Sequence, residues 1–172
     1  MKIAYITSQK KGEIDRLLSE FAEHLMTKGL TPSGIIKDQS YKGHYTNGCD
    51  MKVRVLPHGP IIKITQDLGD GSNSCRLDAA ALTSAVAKVE ARQMDDADLF
   101  ILNKFGPEEC LGRGFCGAIA TALELEIPVL VGVSATNEKE FLSFLGGLAE
   151  ALPDDLLKLK AWWAKISPIA IN

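Results

Sequence analysis

Hydrophobic and polar positions follow two different periods along this chain. Three apolar runs, KIAYIT at 2–7, DLFILN at 98–103 and PVLVGV at 128–133, are short and nearly continuous, which predicts buried β-strands. After the first run, apolar residues recur at helical spacing at Ile14, Leu17, Leu18, Phe21 and Leu25. The chain therefore opens with a predicted strand, a polar loop and an amphipathic helix that ends near Gly29.

A different pattern follows the second predicted strand, SGIIK at 33–37. The segments MKVRVL at 51–56 and IIKITQ at 61–66 alternate apolar and polar residues and are joined by a turn containing two prolines. Alternation of this kind predicts an antiparallel β-hairpin, which lies inside an insertion covering about 38–66.

Helices are predicted between the later strands. Asp78 is a candidate N-cap for a helix that buries Leu82, Val86 and Val89, and an alanine-rich stretch predicts a helix over 118–125. Asn137 and Glu140 have the spacing of a capping box. Pro153 suits the first turn of a terminal helix over about 153–164, whose Trp162 and Trp163 either cover the sheet or form a dimer interface.

Alternating strands and helices predict an α/β fold: a mainly parallel sheet with helices on both faces and the hairpin as an antiparallel extension. The chain has 172 residues, of which 46% are hydrophobic and 24% charged. That length and composition predict a single packed domain over 1–172.

Charge and composition exclude several classes of partner. The formal net charge is −3, which argues against nucleic acid. Absence of a long apolar run or of a leader pattern predicts a cytoplasmic protein without membrane insertion. The four cysteines are expected to be reduced, without a disulfide. Together with three histidines they lack the short paired spacings of a zinc site, so no metal site is predicted.

The first loop resembles the G-x-x-x-x-G-K-[ST] phosphate-binding template but reads TSQKKGEI. Glu13 replaces the phosphate-binding lysine and Ile14 replaces the hydroxyl residue that holds magnesium, so nucleotide hydrolysis is not expected. The helix N-terminus and the loop side chains still offer donors to a smaller oxyanion, at Ser8, Gln9, Lys10, Lys11 and Gly12. The alternative is that the two lysines are ordinary solvated loop residues.

Two further loops follow the carboxyl ends of predicted strands, where ligands bind in such sheets. Asn103 and Lys104 stand where a nucleotide hydrolase would place an acidic pair. Amide and cationic groups there suit an anion site without magnesium, or they simply form a polar strand end and turn. The candidate ligand-binding residues of the two loops are Ser74, Cys75 and Arg76 in the second and Asn103, Lys104, Gly106 and Arg113 in the third. No catalytic residue is assigned.

Three stretches resemble a known family: ITQDLGDGSNSCRLD at 64–78, DLFILNKFG at 98–106 and EIPVLVGV at 126–133. They look like an uncharacterised bacterial domain-of-unknown-function family associated with molybdenum transport, and the likeness runs from Ile3 to about Trp163. The order of elements also resembles the thermophile-type P-loop nucleoside triphosphatases. These resemblances imply a three-layer, P-loop-like architecture, and the first implies molybdate or tungstate as ligand.

The resulting expectation is a non-catalytic P-loop-like domain that binds molybdate or tungstate where the three loops meet. Its expected partners are the oxyanion, a molybdenum-transport or cofactor-assembly protein, and a second copy of the chain. Two alternatives stay open: a protein that binds or hydrolyses nucleoside triphosphates through the altered loop, and an interaction module in metal-cofactor assembly whose site is vestigial.

Overall fold

The computed structural model describes residues 2–42, 50–66, 77–92 and 94–167. Seven strands and six helices lie in these ranges, with a short 3₁₀ helix at Met94–Asp96. Their order is β1 Ile3–Ile6, α1 Glu13–Thr27, β2 Pro32–Lys37, β3 Lys52–Val55, β4 Ile61–Lys63, α2 Ala79–Glu90, β5 Leu99–Phe105, α3 Pro107–Cys110, α4 Cys116–Glu124, β6 Val129–Val133, α5 Glu138–Phe144, β7 Glu150–Leu152 and α6 Leu156–Ile166.

All seven strands join one sheet in the order β4-β3-β2-β5-β6-β1-β7. The neighbouring pairs β2–β5, β5–β6, β6–β1 and β1–β7 are parallel. Strand β3 pairs with β2 and with β4 in antiparallel fashion. The hairpin therefore extends one edge of a parallel sheet, as its alternating pattern predicts. This arrangement confirms the predicted α/β class.

Helices cover both faces of the sheet, which explains the continuous apolar strands. In β5, Phe100 and Leu102 belong to one buried cluster, and Leu99 and Ile101 belong to the other. The first cluster includes buried side chains of α2, α4 and α5, and the second includes those of α1 and α6. A strand buried on both faces has no solvent side that would favour polar residues.

Several boundaries differ from the sequence predictions. Strand β7 was not predicted, because its Glu150 and Ala151 are exposed and only Leu152 is buried. Helix α3 lies in a segment predicted as loop. Helix α6 begins after the N-cap Asp155, whose carboxylate accepts two backbone N–H groups, so Pro153 lies before the helix. The predicted capping box is wrong, because the Asn137 side chain donates to the carbonyl of Phe105.

The terminal helix covers the sheet. Trp162 and Trp163 are buried in the same cluster as Phe21 and Leu25 of α1, so the first of the two roles considered for these tryptophans is the one observed. None of the helices in the described ranges is long and apolar enough to cross a membrane.

Gly34 lies in β2 beside the backbone of β5. It pairs with Ile101 in parallel register and has φ 102°. A Cβ at this position would lie 2.0 Å from the Ile101 carbonyl oxygen. Because the obstacle is backbone, it cannot move aside without disturbing the centre of the sheet.

We predict that Gly34→Ala lowers the free energy of unfolding by about 3 kcal/mol or more, since it adds both a steric clash and backbone strain. Gly29→Ala is the matched control, because Gly29 also has positive φ but would bring its Cβ near no other atom. That control is expected to cost about 1 to 2 kcal/mol. Urea unfolding followed by circular dichroism measures both values, and equal losses would contradict the prediction.

Cys110 and Cys116 carry free thiols, whereas Cys49 and Cys75 lie outside the described residues. The Cys116 thiol is buried and donates to the carbonyl of Glu109 at 3.3 Å. Burial, followed by the nearby Glu109 carboxylate, raises the pKa of Cys116 to about 11. Cys116 therefore behaves as a small core residue.

We predict that Cys116 in the folded protein is alkylated by iodoacetamide roughly 100-fold more slowly at pH 8 than in guanidinium chloride, because only the thiolate reacts. A raised pKa leaves less thiolate at any pH below the folded value. Peptide mass spectrometry after timed quenching measures the rate. Equal rates with and without denaturant would show that this thiol is neither buried nor protonated.

Candidate functional site

The loop from β1 to α1 supplies one wall of the candidate site. Gly12 is the N-cap residue of α1 and has φ 77°, a left-handed conformation that glycine adopts without strain. No side chain caps this helix end. The first backbone N–H groups of a helix lack intrahelical acceptors and carry partial positive charge, and the first turn of α1 places Glu13 and Asp15 beside them.

A cleft of about 390 Å³ lies in front of this helix end, at the carboxyl ends of four parallel strands. We call it the strand-end cleft. Its described lining consists of Ser8, Lys10, Lys11, Gly12, Ile14, Asp15, Lys37, Asn103, Lys104, Gly132, Val133, Ser134 and Ala135. Four lysines and a single carboxylate line it, so the cleft has a net positive charge. Its volume is within the usual range of small-molecule sites.

The single lining carboxylate, Asp15, is held in a network with Lys37 and Asn103. Its oxygens accept from Lys37 Nζ at 3.0 Å and from Asn103 Nδ2 at 2.9 Å. Asn103 Oδ1 in turn accepts the backbone N–H of Lys37 at 3.0 Å. Asn103 is only 1% exposed, and its amide connects β5 to both β2 and α1. The side chain proposed as a ligand from the sequence thus forms part of the wall.

A second carboxylate approaches the cleft from the segment after β7. Ser8 Oγ donates to Asp154 Oδ2 at 2.7 Å and accepts the backbone N–H of Lys10 at 3.1 Å. The hydrogen bond from Ser8, with a contribution from Lys10, lowers the pKa of Asp154. The Ser8 hydroxyl therefore donates its hydrogen bond to an ionised carboxylate.

Glu13, which replaces the phosphate-binding lysine of the template, does not line the cleft. It forms a salt bridge with Arg16 at 2.7 Å, and this hydrogen-bonded partner lowers the pKa of Glu13. Arg16 also bonds Glu20 on the exposed side of α1. The Glu13 carboxylate therefore lies along the exposed surface of α1, outside the cleft.

The structure brings together part of the predicted site. Ser8, Lys10, Lys11, Gly12, Asn103 and Lys104 line the cleft, whereas Gln9 is an exposed neighbour outside its lining. Gly106 borders a separate apolar cavity. Arg113 is exposed and bonds Glu108 at 2.8 and 3.1 Å, so it belongs to neither. The predicted ligands outside the described residues are Ser74, Cys75 and Arg76.

Sequence reasoning missed two charged residues of the cleft lining, Asp15 and Lys37, and a third beside it, Asp154. Asp15 lies in the first turn of α1, two residues after Glu13, and Lys37 ends β2. Both positions follow from the element boundaries, so attention to strand and helix ends would have found them. Asp154 follows a strand that the sequence did not reveal.

In the described part of the chain, no group of three or more His, Cys, Asp or Glu side chains is arranged to hold a metal ion.

Solved structures show the same architecture. The chain resembles THEP1 from the hyperthermophile Aquifex aeolicus with a TM-score of 0.63 and 11% identity, over 100% of both chains. It also resembles a human cancer-related nucleoside triphosphatase with a TM-score of 0.59 and 11% identity, over 88% of this chain and 87% of that one. At such identities the likeness shows the fold alone, and the fold is the predicted P-loop-like one.

One curated relative is closer in sequence. The chain is 33% identical over 168 residues to the molybdenum import ATP-binding protein ModC 2 of Bradyrhizobium diazoefficiens. The match covers 96% of this chain and 18% of that protein. The chain thus spans less than one fifth of the relative's length.

A protein-family model covers nearly the whole chain, over residues 3–162. The family is described as "Protein of unknown function (DUF2478)", in agreement with the uncharacterised family expected from the sequence. On this match, which includes every element from β1 to most of α6, the chain belongs to the DUF2478 family.

Proposed function

We propose that this domain binds a small tetrahedral oxyanion, molybdate or tungstate, in the strand-end cleft and does so without catalysis. The observation that carries the proposal is the charge of the cleft: four lysines surround the open end of α1, and the one lining carboxylate is already paired with Lys37. Positive side chains and the partial positive charge at the N-terminus of α1 together favour a compact anion.

The ligand contacts follow from the positions of these groups. Lys10, Lys11 and Lys104 supply ammonium donors, and the backbone at Gly12 and the first turn of α1 supplies N–H donors. Lys37 also lines the cleft, with its ammonium group shared with Asp15. Ser134 adds a hydroxyl group at the rim, whereas the hydroxyl of Ser8 already donates to Asp154.

Triphosphate hydrolysis fits this site poorly. Magnesium in P-loop enzymes needs the hydroxyl of the loop and an acidic residue at a strand end. Here Ile14 stands at the first position, and Asn103 stands at the second with its amide already hydrogen-bonded to protein groups. We therefore propose that the domain recognises the charge and shape of the oxyanion without a metal ion.

Molybdenum enters the proposal through the curated relative, which is named as an ATP-binding protein of molybdenum import. Because this chain corresponds to 18% of that protein, we propose that the domain serves molybdenum homeostasis as an accessory that senses or delivers the oxyanion. Its proposed partner is a molybdenum-transport or cofactor-assembly protein, and its proposed setting is the cytoplasm.

We predict that calorimetry detects binding of tungstate and molybdate, and that Lys104→Ala weakens it by about tenfold or more through loss of a charge-assisted hydrogen bond. Lys88→Ala is the matched control, because Lys88 is an exposed lysine on α2 that does not line the cleft. It removes the same charge and is expected to leave affinity nearly unchanged.

Sulfate, phosphate and ATP with magnesium complete the same titration series. No heat with any of the inorganic oxyanions would overturn the proposal. Release of phosphate from ATP that Lys104→Ala abolishes would favour the nucleotide alternative. A stable protein complex whose affinity ignores substitutions at Lys10, Lys11 and Lys104 would favour the interaction module.

We also predict that Asp154→Asn increases oxyanion affinity by about twofold to fivefold at low salt, since it removes a negative charge beside Lys10. Asparagine retains an oxygen that accepts from Ser8, so the local geometry is preserved. Glu124→Gln on α4 removes an equal charge from an exposed position elsewhere. If both variants change affinity equally, the effect is one of net charge and Asp154 has no local role.

A further inference from the structure

A second, apolar cavity lies beside the strand-end cleft. Its volume is about 140 Å³, and it is lined by residues of β2, the hairpin, α2, β5 and the segment around α3. Its buried apolar lining includes Ile35, Val53, Ile64, Leu82, Leu102 and Phe115. Asn103 and Lys104 border both the cavity and the cleft, so the two spaces meet at the carboxyl end of β5.

Two polar side chains in the described cavity wall, Thr65 and Glu109, already have hydrogen-bond partners. Thr65 Oγ1 donates to Asp50 at 3.0 Å and accepts the backbone N–H of Met51 at 3.2 Å. The Glu109 carboxylate accepts the backbone N–H groups of Gly106 and Phe115, each at 2.9 Å. With these groups engaged, the cavity offers a guest apolar contact and little hydrogen bonding.

Its size fits one small ring. An apolar protein cavity of about 150 Å³ stays dry and binds benzene. A group of that size would gain hydrophobic transfer energy here without leaving a polar wall atom unpaired.

Lys104 supplies the charge at the shared border. It is exposed, and no salt bridge within the described ranges 2–42, 50–66, 77–92 and 94–167 involves its ammonium group. A ligand whose ring fills the cavity would therefore place an attached anionic group beside an ammonium donor and at the entrance to a positively charged cleft.

We propose that the domain binds a small organic anion, in which a single aromatic or similarly sized apolar ring occupies the cavity and a phosphate-like or carboxylate group contacts Lys104. The proposal deepens the proposed oxyanion function and rests on it for the anionic end of the ligand. The cavity adds selectivity, because an inorganic oxyanion cannot use it.

Calorimetry with phenyl phosphate and inorganic phosphate tests the proposal, after tungstate binding has been measured. Phenyl phosphate is expected to bind at least tenfold more tightly than phosphate. Val53→Phe fills the cavity from β3 and should reduce phenyl phosphate to the affinity of phosphate. Met51→Trp, at a half-buried position of the lining, gives a second variant should the first fail to fold.

Ile61→Phe is the matched control, because Ile61 lies on β4 with 49% exposure and does not line the cavity. It should retain the preference for phenyl phosphate. Thermal melts establish that each variant is folded.

Each result bears on the proposal. Equal affinities for the two phosphates would overturn it while leaving the oxyanion function intact. A preference that survives both cavity-filling variants would place the ring elsewhere and also overturn it. Tight binding of phenyl phosphate without binding of tungstate or phosphate would support the organic anion and reject the inorganic ligand. If none of the three binds, both proposals fail.

Discussion

The amide of Asn103 connects the elements on which the site depends. It accepts from the backbone of β2 and donates to Asp15 of α1, while its own strand occupies the centre of the sheet. A buried amide that loses such partners costs about 1 to 3 kcal/mol for each unsatisfied group. Strand ends and helix N-terminus are thereby held in one geometry, and Gly132 allows β6 to approach Asn103 closely on the other side.

This network also affects the charge of the cleft. An acidic residue at the end of this strand would carry a negative charge toward the cleft, where a metal ion could balance it. Asparagine carries none, and the nearby carboxylate of Asp15 is balanced by Lys37. Lysine side chains therefore outnumber carboxylates in the described lining of the cleft.

The layered fold followed from the sequence because its signals are local: continuous apolar strands, helical periodicity and an alternating hairpin. Strand β7 was not predicted because it buries a single residue. The capping box at Asn137 was wrongly predicted because the Asn137 amide donates to a distant carbonyl of β5 instead of capping the adjacent helix. The site was predicted in part. Motif reasoning located the loop lysines and the end of β5, but pairings such as Asp15 with Lys37 and Ser8 with Asp154 join residues far apart in the chain.

Arg113 illustrates why proximity in sequence is a weak guide to a site. It follows Lys104 by nine residues, yet the turn around α3 directs it to Glu108, while Glu109 points inward and binds the backbone of that same turn. The turn is therefore built around a buried carboxylate. Gly106, Pro107 and Glu109 of this turn line the apolar cavity, so a segment that supplies no lining charge to the cleft forms part of the wall of the neighbouring space.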